Sequence, residues 1–102
     1  MYLVQLLLPL QDSDGRPFER GLFDELAEEL TRSFGGVTAY TRAPATGLWE
    51  ERTGQTVRDH IVVYEVMAEK LESEWWTALR QRLEARLDQK ELVVRAQEIQ
   101  RL

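Results

Sequence analysis

Residues 60–67 read HIVVYEVM. The run is short and rich in β-branched and aromatic residues, which favours a strand over a helix. Alternation splits it into His60, Val62, Tyr64 and Val66 on one side and Ile61, Val63, Glu65 and Met67 on the other. A carboxylate is costly to bury under a helical layer, so the set containing Glu65 is expected to face outward. The start of the chain divides the same way. Tyr2 to Leu8, closed by Pro9, gives Tyr2, Val4, Leu6 and Leu8 against Leu3, Gln5 and Leu7. Gln5 marks the outward set of that strand.

Helical patterns follow each of these strands. Asp12, Ser13, Asp14 and Gly15 signal a turn, and Pro17 suits a helix start, where its missing N–H costs nothing. Leu22, Leu26, Leu30 and Phe34 then recur every four residues, with Asp24, Glu25, Glu28 and Glu29 on the wet side. Gly35 is expected to end that helix in the left-handed region. Further on, Ser73 is a candidate cap and Glu74 favours the first turn. Trp76, Leu79, Leu83 and Leu87 form the inward stripe of the second helix, flanked by Leu71 and Trp75. Arg80, Arg82, Glu84 and Arg86 are expected to face water.

Two more strands complete the pattern. Val37 to Arg42 alternates and reads as the second strand, and Glu91 to Ile99 as the fourth. Between the second and third strands, Ala43 to Gly47, with Pro44, is expected to interrupt pairing. Leu48–Glu51 and Gln55–Val57 then form a hairpin extension about Thr53-Gly54. The resulting β-α-β-β-α-β order is that of the ferredoxin-like plait, an α+β fold. One such domain is expected over residues 1–102. Right-handed crossovers predict an antiparallel sheet in the order 4-1-3-2 with both helices on one face.

Composition narrows the function classes. The chain has 102 residues, 43% of them hydrophobic and 30% charged, as in ordinary globular domains. Its 18 acids outnumber 13 bases, and no run of Lys or Arg occurs, which disfavours nucleic acid and anionic membranes as partners. The absence of cysteine removes disulfides, thiolate metal sites and Cys nucleophiles. MYLVQLLLPL at the start is apolar, but it lacks a basic leader region and is too short to span a bilayer. It reads as a buried strand, and the protein as cytoplasmic.

A plait with two helices on one face leaves the other face open. Leu3, Leu7, Ile61, Val63 and Met67 make that face apolar, a patch of several hundred Å², at or above what monomers usually expose. Its burial is worth roughly 5 kcal/mol or more at about 25 cal/mol per Å². Association costs a comparable amount or more, so further contacts are needed, such as from residues 43–58. A homodimer through the open sheet faces is therefore expected. Arg95, between Val94 and Ala96, aligns with Gln5 and Glu65 in a polar row across that face. One reading of the row is a structural network that fixes register. The other is the floor of a ligand cavity, where a carboxylate in an apolar cleft would have a raised pKa and serve as a base.

Other candidates are weaker. His60 is the only histidine, so no multi-histidine metal site is available, and a place at the start of a strand explains it more simply than catalysis. Ser13, Ser33 and Ser73 lie near turns or helix ends and suit capping better than a triad. Helical spacing puts Trp76 on the core stripe and Trp75 at its edge. Trp49 stands outside either helical stripe, where it either seals a dimer contact or lines a pocket. Tyr40 and Tyr64 suggest the stacking aromatics of RNA-recognition domains, but HIVVYEVM lacks their basic, glycine-containing signature. No cofactor-binding or metal site is expected, and no catalytic residue is assigned.

FGGVTAYTRAPATGLWE at 34–50, HIVVYEVM and the helix carrying Trp75-Trp76 together resemble a small family of uncharacterised bacterial proteins. The resemblance covers most of the chain and implies a ferredoxin-like, dimeric fold; it brings no activity and no site residues. The architecture is more distantly similar to the dimeric α/β-barrel group, which includes cofactor-free monooxygenases and small isomerases. Two functional expectations result. One is a homodimeric binding or interaction module with its polar row fully paired. The other is a small cofactor-independent enzyme, monooxygenase- or isomerase-like. It would have a small-molecule pocket on the open face lined by Trp49, Tyr40, Glu65 and His60.

Overall fold

The structure is a computed structural model that describes residues 1–50, 54 and 56–102, the side chains of 42–45, 49 and 56–59 excepted. The elements run β1 (Tyr2–Pro9), α1 (Arg20–Phe34), β2 (Thr38–Glu50), β3 (Thr56–Ala68), α2 (Ser73–Arg86) and β4 (Val93–Glu98). The strands form one antiparallel sheet in the order β2-β3-β1-β4, the ferredoxin-like arrangement. The alternation in β1 and β3 sorts their side chains as expected. Val4, Leu6, Leu8, Val62, Tyr64 and Val66 are buried beneath Leu26 and Leu30 of α1 and Trp76, Leu79 and Leu83 of α2. Both helices thus cover one face, and the face carrying Gln5 and Glu65 stays open.

Several elements begin or end elsewhere than their local signals suggest. Pro17 does not start α1. The Asp12 carboxylate accepts the backbone N–H groups of Asp14 and Arg16 at 2.9 and 2.8 Å, folding the segment back so that Pro17 bridges Gln11. The helix opens only after Glu19. It closes as expected at Gly35, whose φ of 84° suits glycine and whose N–H donates to the Thr31 carbonyl at 2.8 Å. Ser73 does not cap α2. Glu72 holds that position, and the Trp76 N–H donates to its carbonyl at 3.2 Å, making Ser73 the first helical residue.

β2 is longer than its alternating segment. It continues past Arg42 to Glu50, with a register shift where Tyr40 pairs Val63 but Ala45 pairs Ile61. The extra residues of β2 are taken up between those pairs, around Pro44, which has no N–H for a ladder. Beyond the shift, Leu48, Trp49 and Glu50 pair with Arg58, Val57 and Thr56, so the hairpin extension exists. Its expected tip residues Glu51, Thr53 and Gln55 lie outside the described residues; Gly54 has a φ of 81°.

The arginines of α2 do not simply face water. Arg82 and Arg86 cross to Glu29 and Glu25 of α1 at 2.8 and 2.9 Å. Exposed pairs of this kind contribute about 0–1 kcal/mol each, so they align the helices more than they stabilise the fold. Glu84 is mostly buried. It accepts two bonds from Arg80 at 3.0 Å and the backbone N–H of Leu92 at 2.9 Å. That last bond holds Leu92 in the core and delays the start of β4 to Val93, later than Glu91.

Candidate functional site

β1 is central, with β3 on one side and β4 on the other. The register sets Gln5 opposite Glu65 on β3 and opposite Arg95 on β4. The three side chains meet on the open face. Arg95 Nε donates to Gln5 Oε1 at 2.8 Å, and Gln5 Nε2 donates to Glu65 Oε1 at 2.6 Å. Only one orientation of the Gln5 amide satisfies both neighbours, because a guanidinium only donates and a carboxylate only accepts. Gln5 is thus an oriented dipole between a cationic and an anionic end.

Tyr40 extends the row onto β2. It pairs with Val63, diagonal to Glu65, close enough for a long aromatic side chain to reach the carboxylate. Its hydroxyl donates to Glu65 Oε2 at 3.1 Å. That bond, followed by the negative charge of Glu65 and then burial, raises the Tyr40 pKa above the usual 10.0. Tyr64 on the buried face is also raised, by burial first and by Asp24 second. The protonated phenol holds the Glu65 bond, so the stabilisation is intact below the ordinary tyrosine value and is lost as pH rises through the raised one. In an ultraviolet titration of tyrosinate, Glu65→Gln is expected to move one tyrosine back toward its ordinary value and leave the Tyr64 step in place. An unchanged titration curve in that variant would refute the contact.

The ground around the row is apolar. Leu3, Leu7, Ile61 and Val63 are half-buried, while Met67, Val93 and Tyr40 are 47%, 46% and 51% exposed. Val93 is a member that the sequence pattern did not single out; its register opposite Leu7 puts it there.

The remaining candidates lie elsewhere or in packing roles. His60 is exposed, pairs with Thr46 and belongs to the register of Val62 and Tyr64, so it does not join the row. The side chain of Trp49 lies outside the described residues; its backbone pairs with Val57. Tyr40 and Tyr64 sit on opposite faces and make no common stacking platform. Trp76 is in the core, stacked on Phe34 at 4.9 Å, with Trp75 edge-on to both. A cleft between the helices, over Leu22, Leu79 and Leu83, is spanned by the Arg82–Glu29 and Arg86–Glu25 pairs. Among the described residues no group of three or more His, Cys, Asp or Glu is placed to hold a metal, and no helix is long and apolar enough to cross a membrane.

No family model matches the chain, and no curated protein matches it. Solved structures do. A phage SAM lyase in complex with S-methyl-5'-thioadenosine superposes with a TM-score of 0.66 at 20% identity, over 95% of this chain and 80% of that one. A phage SAM lyase in its apo state gives 0.61 at 17% identity, over 94% and 78%. At these identities the likeness is one of fold, and it supports the ferredoxin-like plait drawn from the element order.

Proposed function

We propose that the protein is a homodimeric binding module whose working surface is the open sheet face. The uncovered apolar ground around the Arg95–Gln5–Glu65–Tyr40 row carries this reading. Leu3, Leu7, Ile61, Val63, Met67 and Val93 all keep exposed apolar surface on this one face, and a contiguous apolar patch rimmed by polar groups is the usual mark of an association site. Gln5 is bonded at both ends within the subunit, which fixes the direction of the row, while Arg95 and Glu65 keep hydrogen-bonding capacity for whatever covers the face. Light scattering after size exclusion is expected to show a dimer at micromolar concentration; a stable monomer there rejects the reading.

A second reading, a small enzyme acting on a small molecule, draws on the likeness to the SAM lyases. Here Glu65, which has no cationic partner among the described residues, takes the positive charge of a sulfonium compound. The exposed Tyr40 ring lies against that charge. The same preparations are therefore titrated by calorimetry with SAM and with S-methyl-5'-thioadenosine, and SAM mixtures are chromatographed for products. Saturable binding lost in Glu65→Gln supports the second reading; no heat at millimolar ligand removes it.

A further inference from the structure

The row has a direction, and that direction selects how two copies stack. Arg95 and Glu65 stand on strands either side of β1, about 9.5 Å apart as two strand spacings, too far for a direct contact between their backbones to align them. Gln5 bridges them. Among the described residues, Arg95 makes no ion pair and Glu65 makes none. Arg95 retains guanidinium donors beyond Nε, and the Glu65 carboxylate accepts two hydrogen bonds out of about four sites. In the open subunit, water serves these groups. Under a second sheet it cannot, and a buried charge without a partner is strongly unfavourable.

Three face-to-face arrangements are available to a symmetric pair. A two-fold axis lying in the interface across the strands places Arg95 over Arg95 and Glu65 over Glu65, a like-charge contact. An orthogonal packing turns the row of one copy along the strands of the other and leaves each charge over apolar side chains. An axis running along the strands above Gln5 exchanges the two ends of the row. Each Arg95 then faces the partner's Glu65, and the two rows lie antiparallel as dipoles should. Aligned sheets keep their strands within about 30° of one another and stack about 10 Å apart, a gap that arginine and glutamate span together.

We infer that two copies stack through their open faces about a two-fold axis parallel to β1 over Gln5, with Arg95 of each copy paired to the partner's Glu65. This rests on the homodimer reading above and deepens it. It also gives the unpaired Arg95–Glu65 ends a role that a ligand site alone does not.

The test is a charge swap read through the dimer dissociation constant, with circular dichroism confirming the fold. Arg95→Glu and Glu65→Arg each set like charges against each other and are expected to weaken association about tenfold or more. The double variant Arg95→Glu/Glu65→Arg restores opposite charges and is expected to return to near the wild-type constant. Alanine at the same two positions gives an independent double-mutant cycle, with a coupling again of about tenfold or more if the side chains meet across the interface. A wild-type dimer whose single reversals have no effect, or whose double variant is weaker than either single one, overturns the register. A wild-type protein that is monomeric, or trimeric, fails at the earlier step and overturns the self-association reading itself.

Discussion

Val62→Asp is expected to unfold the protein, or nearly so. Val62 is 2% exposed and packs with Val4, Leu6, Leu8 and Tyr64 beneath the helices. Aspartate there loses the apolar burial of valine, about 1.5–3 kcal/mol. It also sets a carboxylate in the core, where effective penalties reach several kcal/mol and no cation stands ready. A domain of this size has only about 5–15 kcal/mol of stability to lose. Chemical denaturation followed by circular dichroism is expected to show a folded fraction small or absent at 25 °C, or a midpoint shifted far toward water. A cooperative transition close to that of the wild type would contradict the assignment of the inward face.

Val63→Asp, one residue along, is expected to leave the subunit folded and separate the proposed dimer. Val63 points to the other face, between Leu7 on β1 and Tyr40 on β2. Water reaches it in the single subunit, so aspartate there costs the fold little beyond lost β-propensity, about 1 kcal/mol or less. In a stacked pair the same carboxylate is enclosed, beside Glu65 of its own strand. The dimer is expected to weaken by several kcal/mol, a change of about a thousandfold in the dissociation constant at 1.4 kcal/mol per tenfold. Light scattering is expected to show a monomer at concentrations where the wild type is expected to be a dimer, with the far-ultraviolet spectrum retained. Loss of the fold in this variant, or persistence of the dimer, would each contradict the proposed use of that face.

The two substitutions differ by one position and by the whole consequence, because a strand's side chains alternate with a period of two. That period is also why the outward face was legible so early. Glu65 and Gln5 break otherwise apolar runs, and a charged or amide group identifies the wet side of its strand without any knowledge of the neighbours. The Arg95 alignment came from the plait's strand order. Tyr40 was visible as an aromatic of the second strand, but its bond to Glu65 depends on a diagonal across β2 and β3 that parity does not specify.

The errors at element ends have a common origin. Pro17, Ser73 and Glu91 each carry a local signal that fits the role assigned to it, and at each a hydrogen bond between residues four to eight apart sets the boundary instead. The Asp12 carboxylate draws Pro17 into a bridge, the Glu72 carbonyl starts α2 a residue earlier than Ser73 suggests, and Glu84 binds the Leu92 N–H. Propensity and capping preferences are each worth about a kilocalorie, which a single competing hydrogen bond matches.

The sequence by itself therefore determined the order of the elements, the inward stripes of both helices, the Gly35 stop and the two faces of the central strands. These follow from periodicity and backbone sterics, which act within a few residues. Only in the folded chain do the course of β2 beyond Arg42, the crossing of Arg82 and Arg86 to α1, and the extension of the Arg95–Gln5–Glu65 row to Tyr40 emerge. Those features depend on contacts beyond the local window: β2 on its pairing with β3, the arginine crossings on α1 lying beside α2, and the Tyr40 bond on a diagonal across the sheet between residues 25 apart.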